Sequence, residues 1–196
     1  SSTRCKEGKM SDRKQQILQR AVELVAAKGY AALSMRAVAR ESGLTLGALQ
    51  YHFPTQATLL RALADYIAHQ YRESYRAYFR GLDKGASMLQ ASLDFFLIDP
   101  VDDLLHADRL FPQLWAMALV EPVMEELLDD LYEEYLVLIE AHLQEQGVEN
   151  PRAEALALLA MFEGFTLFNG RGRRWEAHAP ATVEAIRGLI TARFGA

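Results

Sequence analysis

The sequence predicts an all-α protein, in which a small N-terminal three-helix unit of helix-turn-helix type is joined to a larger C-terminal helical domain, nine or ten helices in all. Three observations carry this expectation. Apolar residues recur at helical spacing along most of the chain. Two short, capped segments joined by a glycine turn lie near the N-terminus. Residues 1–55 hold nine Lys or Arg against four Asp or Glu, while the rest of the chain holds twelve against twenty-two, so a basic head precedes an acidic body.

The elements follow in order. Over residues 12–28, Ile17, Leu18, Ala21, Val22, Leu24 and Val25 share one face, with Ser11 placed to cap the start and Gly29 to end it. Ser34 then caps a second helix whose Met35, Val38 and Ala39 point inward, and Gly43 suits the left-handed turn that follows. Thr45 caps a third, very short helix over 46–53, in which Leu46 and Leu49 face inward while Gly47, Gln50, Tyr51 and His52 are left outward. Pro54 and Thr55 restart the chain into a fourth helix over 55–80.

Further helices are expected over 84–97, 101–120 with a break near Pro112, 121–146, 150–169 and 180–194. In 121–146 the expected apolar stripe is Met124, Leu127, Leu128, Leu131, Tyr135, Leu138, Ile139 and His142, with Glu125, Glu126, Asp129, Glu133 and Glu134 forming a solvated face. The helix from residue 150 is apolar nearly all round and so is expected to be covered on two sides. The chain divides into a disordered tail (1–10), a helix-turn-helix domain (11–54) and a body (55–196).

Composition narrows the chemistry. A chain that is 51% hydrophobic and 24% charged can build a core. Its one cysteine, Cys5, allows no internal disulfide and no thiolate metal cage, and no uncharged apolar run reaches the roughly 18 residues of a membrane span. A cytoplasmic setting is therefore expected, with no membrane partner. The five histidines show no metal-ligand spacing, and neither a phosphate loop nor a nucleophile elbow is present. We therefore expect no metal, no cofactor and no catalytic residues.

The polar outer face of the third helix has a physical reason if it enters the major groove of DNA, where base-edge donors and acceptors must be met by Thr, Gln, Tyr and His rather than by Leu. Gly47 would let the backbone come close, and Phe53 reads as core. The run "SMRAVARESGLTLGALQYHFPTQATLL" resembles the DNA-binding segment of the TetR family of bacterial transcriptional regulators, over about residues 12–62. The resemblance implies that Thr45 and His52 meet phosphate and that Gln50 and Tyr51 meet bases or phosphate. Two positions depart from the family pattern: Gln50 stands where a Tyr is usual, and Gln56 where a Lys often opens the fourth helix. Phosphate contact would then lean on Arg36, Arg13 and the helix N-termini.

In the body, Ala153, Ala157, Ala160 and Gly164 share one side of their helix, and Leu158, Phe162 and Phe165 the other, while Val183, Ile186, Ile190 and Phe194 form a stripe on the last helix. These two helices are expected to make a four-helix interface with their copies in a homodimer, as the resemblance also implies. It further implies a ligand cavity lined by Phe96, Phe111, Trp115, Tyr132, Phe162 and Phe165; by pattern alone the same residues could be a filled core. Glu163 could serve that pocket or pair with an Arg such as Arg187 across the dimer. The segment "GRGRRW" (170–175) reads as a surface loop. The expected function is a ligand-responsive repressor that binds palindromic double-stranded operator DNA as a homodimer and is released by a small, largely hydrophobic effector. The alternative is an all-α carrier or enzyme for a hydrophobic small molecule.

Overall fold

The computed structural model describes residues 12–82, 88–97 and 110–195. The expected tail, Ser11 as a cap, Cys5, His106 and the opening segments of the helices expected from residues 84 and 101 lie outside these residues. Among those described, nine α-helices form: α1 (Asp12–Lys28), α2 (Met35–Glu41), α3 (Leu46–His52), α4 (Gln56–Arg80), α5 (Met88–Leu97), α6 (Leu110–Ala118), α7 (Pro122–Glu145), α8 (Pro151–Asn169) and α9 (Ala179–Phe194). Short 3-10 turns over Tyr30–Ala32 and Glu176–His178 complete them. The protein is all-α, and no described helix is long and apolar enough to cross a membrane.

Side-chain caps set the boundaries of the short helices. The Ser34 hydroxyl accepts from the Ala37 N–H at 3.2 Å and the Thr45 hydroxyl from the Ala48 N–H at 3.2 Å, each satisfying a backbone donor that the first helical turn leaves unpaired. Thr55 and Thr58 cap α4 reciprocally, each hydroxyl accepting from the other's backbone N–H at 3.1 and 3.0 Å. Between α2 and α3, Gly43 sits at φ 65° and the Leu44 N–H reaches back to the Ala39 carbonyl at 2.8 Å. That left-handed closure fixes the angle between the two helices, and a side chain there would be strained.

Two apolar clusters hold the molecule. The first gathers Ile17, Leu18 and Val22 of α1, Val38 of α2 and Leu49 of α3, then continues through Leu59, Leu63, Ile67 and Tyr71 of α4 to Leu114, Met117, Met124 and Leu131. It therefore does not stop at the 54/55 junction. The second joins Leu89 and Leu97 of α5, Leu136, Ile139 and Leu143 of α7, Leu158 and Phe162 of α8, and Val183, Ile186 and Ile190 of α9.

Two expectations are corrected here. On α7, Leu138 is exposed and His142 half-buried, whereas Leu136 and Leu143 are buried. The helix packs on α4 and α6 with its first half and on α5 and α8 with its second, so its buried arc shifts round the axis. The acidic face of α7 is exposed as expected, and two of its carboxylates reach α4: Glu126 pairs with Arg61 at 3.1 Å and Glu134 with Arg72 at 2.7 Å. Such surface pairs contribute at most about 1 kcal/mol each and fix relative position more than stability. Finally, Val183, Ile186 and Ile190 lie in this chain's own second core and are not an exposed interface stripe. A stripe of that width on a terminal helix is consumed in docking the helix to its own chain. The outward side of α9 carries Ala181, Ala185, Gly188, Leu189 and Ala192 instead.

Candidate DNA interface and ligand cleft

α3 is pinned from below and bare above. Leu49 and Phe53 are buried beneath it, while Thr45, Gly47, Gln50 and Tyr51 are exposed and His52 is half-buried, edge-on to the Tyr51 ring at 5.4 Å. Tyr51 is 86% exposed, the most exposed large ring among the described residues. An added Cβ at Gly47 would meet nothing within 4 Å, so the chain's own packing gives no reason for glycine. Arg36 and Gln56 flank this face and are both exposed. Arg13 spans from Gln16 to the Ser42 carbonyl at 3.0 and 3.3 Å, which places its charge at the end of α2.

A half-open cleft of about 430 Å³ lies between α6, α7 and α8. Its wall carries Trp115 and Tyr132, stacked at 5.6 Å and 27°. Glu163 from α8 and Asp129 and Glu133 from α7 supply carboxylates, and Leu156, Leu159 and Ala160 form an apolar side. Burial pushes the Glu163 carboxyl above its ordinary range, against the opposing pull of the Tyr132 hydroxyl and Trp115 indole beside it. Burial, and after it the same carboxylate, pushes the Tyr132 phenol up. The Tyr132 oxygen is inaccessible and completes no hydrogen bond of good geometry. Arg187 is engaged with Asp94 at 2.6 Å and Gln90 at 3.1 Å on α5, so within the chain Glu163 belongs to the cleft rather than to Arg187.

Of the seven residues expected to line a pocket, Trp115, Tyr132 and Glu163 meet at this cleft. The others do not. Phe162 is 1% exposed and stacks on Phe96 at 5.4 Å, Phe111 packs edge-on against Tyr71 at 5.1 Å, and Phe165 leans on the second core. Among the described residues Tyr75, Phe95 and Tyr135 gather round Phe96, so that Phe96 and Phe162 sit within an aromatic cluster beside the cleft rather than on its wall. Leu156 and Leu159 were not expected there, and Asp129 and Glu133, exposed as expected, also border the cleft. The signal was the spacing Asp129, Tyr132, Glu133, which puts two carboxylates on the turn that carries the ring.

α6 joins the cleft to the head. Trp115 faces the cleft, while two residues earlier Gln113 accepts from the Tyr30 backbone N–H at 3.1 Å, at the turn between α1 and α2. The Tyr30 hydroxyl donates to Glu121 at the α6–α7 junction, and burial together with that carboxylate pushes its pKa up to about 12. On the expected dimer face, Ala153, Ala157 and Ala160 are exposed and Gly164 half-exposed, continued along α8 by Leu167 and Phe168.

A capped helix-turn-helix whose second helix stands bare, on an all-α body with a cleft, defines a helical DNA-binding regulator class. Residues 17–63, the helix-turn-helix and the start of α4, match the family described as bacterial regulatory proteins, tetR family. It is 34% identical over 90 residues to the HTH-type transcriptional regulator CymR of Pseudomonas putida, a match covering 42% of this chain and 44% of that protein; the aligned part is thus under half the length of that relative. The whole chain shares its fold with a putative transcriptional regulator from Saccharomonospora viridis in complex with choline (TM-score 0.76, 20% identity, 92% of this chain and 96% of that one). It also shares it with the multidrug binding protein EbrR complexed with ethidium (TM-score 0.63, 22% identity, 91% and 98%).

Proposed function

We propose that this protein is a ligand-responsive transcriptional repressor, binding a palindromic operator as a homodimer and released by a small, largely hydrophobic molecule. The observation that carries the reading is the outer face of α3: Tyr51 86% exposed, Gln50 beside it, and a glycine whose lack of a side chain no internal contact explains. In this reading residues 11–54 are the DNA-reading unit. Thr45 and His52 meet phosphate, Gln50 and Tyr51 meet bases or phosphate, and Arg36 and Gln56 flank them on the backbone.

Two half-sites require two heads, and the bare α8 face of Ala153, Ala157, Ala160 and Gly164, with the outward side of α9, is the surface proposed to meet a second copy. The ligand enters the Trp115 cleft. Structures sharing this fold hold choline in one case and ethidium in another, which supports a small-molecule effector. The signal travels by α6, with Trp115 on one side and Gln113 on the other, and by α4, which runs from the head into the body. A coupling of about 1–3 kcal/mol between the sites weakens operator binding roughly 5- to 150-fold, and operator weakens ligand binding by the same factor. The cleft alone would suit a carrier; the exposed α3 face would then have no purpose.

The test is binding to the DNA upstream of the protein's own gene, with Tyr51→Ala as the variant. Loss of about 1–3 kcal/mol on that DNA, with folding intact, is expected if Tyr51 meets a base. Equal loss on random DNA would assign it to phosphate, and no loss on either would remove α3 from the interface.

A further inference from the structure

We propose that the cleft between α6, α7 and α8 is built for an organic cation, held face-on by Trp115, which Tyr132 backs, with Glu163 and Asp129 as its counter-charges. The inference rests on the effector reading above and names the chemical class of the ligand. Its starting point is a charge imbalance. The wall contains the carboxylates of Asp129, Glu133 and Glu163 and no Lys or Arg. Glu133 is neutralised from outside the cleft by Arg152, which also reaches Glu140 at 3.4 Å. Among the described residues no cation pairs with Asp129 or Glu163, and Arg187, the candidate partner of Glu163, is held by Asp94.

A mostly buried carboxylate without a cation costs stability, and burial rather than a partner dominates its surroundings. The cost is offset if a ligand brings the missing charge. Beside it, Trp115, 46% exposed and backed by the Tyr132 ring stacked on it, offers its free face to a positive group, an attraction worth about 2 kcal/mol when desolvated. Leu156, Leu159 and Ala160 supply the apolar side that a bare inorganic ion would not need. Together these features fit a quaternary or aromatic ammonium, and 430 Å³ leaves room for a ring beside the charged group.

The experiment uses phenyltrimethylammonium chloride and tert-butylbenzene, its uncharged isostere, titrated into the full chain in a Trp175→Phe background so that Trp115 reports. The cation is expected to bind at least roughly tenfold more tightly than the isostere. Glu163→Gln should remove most of that preference while leaving tert-butylbenzene unchanged, and Asp129→Asn, at the exposed rim, should reduce it without touching the core. Equal binding of both probes, or a preference that survives both substitutions, overturns the cation assignment and leaves the effector cleft standing. Saturation by neither probe, with operator binding intact, overturns both.

Discussion

Gly47 and Glu163 each stand where folding alone would choose another residue. A glycine inside α3 costs about 0.5–1 kcal/mol relative to alanine, and no neighbour within 4 Å requires the space. If that space belongs to DNA, Gly47→Ala will raise the melting temperature and weaken operator binding together; a variant that melts higher and binds equally well takes Gly47 off the contact surface. Glu163 makes the parallel case in the cleft. Its pKa is raised in the fold, so the folded state holds the proton more tightly than the unfolded one, and ionisation costs stability above the unfolded value. Glu163→Gln should therefore melt higher than the parent at neutral pH. Phenyltrimethylammonium and the proton compete for the same carboxylate, so its affinity should fall with pH, beginning above the ordinary glutamate value of 4.5. Asp129, Glu133 with Arg152 upon it, and Tyr132 also face the site, and calorimetry on Glu163→Gln separates them from Glu163: a pH slope that persists there belongs to Asp129 or Glu133.

At the scale of elements, α6 touches both the cleft and the head. Residues two apart on a helix face nearly opposite ways, which is why Gln113 can hold the Tyr30 backbone while Trp115 walls the cleft. Gln113→Ala should leave cation affinity and folding close to the parent but shrink the effect of ligand on operator binding toward none, read as operator affinity with and without saturating ligand; unchanged coupling would leave α4 as the route. Much at this scale was legible in the sequence. The Ser34, Thr45 and Thr55 caps and Gly43 are local signals, and local chemistry sets those helices. What was not legible is which partner a stripe meets. Periodicity groups Val183, Ile186 and Ile190 on one face but cannot say whose core receives them, and it placed Leu138 inside because it treats α7 as meeting one neighbour. The aromatic residues pose the same question: Phe162 and Trp115 are alike in composition, and only packing leaves one 1% and the other 46% exposed, the latter on the wall of the cleft.

The whole molecule joins these parts through two clusters that meet along α7, the first running from the head through α4 into the body. Ala157→Glu or Gly164→Glu would set a charge on the bare α8 face, where no internal contact is lost. The expected result is a folded monomer with weak operator affinity, by light scattering and gel shift; a dimer with normal binding would move the interface elsewhere. The central claim is that one chain reads DNA and answers a cation. It is tested most directly by fluorescence anisotropy of the DNA upstream of the protein's own gene, titrated with the full-length protein with and without saturating phenyltrimethylammonium. Tight binding is expected, lost on scrambled DNA and in Tyr51→Ala, weakened at least roughly fivefold by the cation and restored in Glu163→Gln. Binding indifferent to DNA sequence, or specific binding that the cation saturates without weakening, would contradict it.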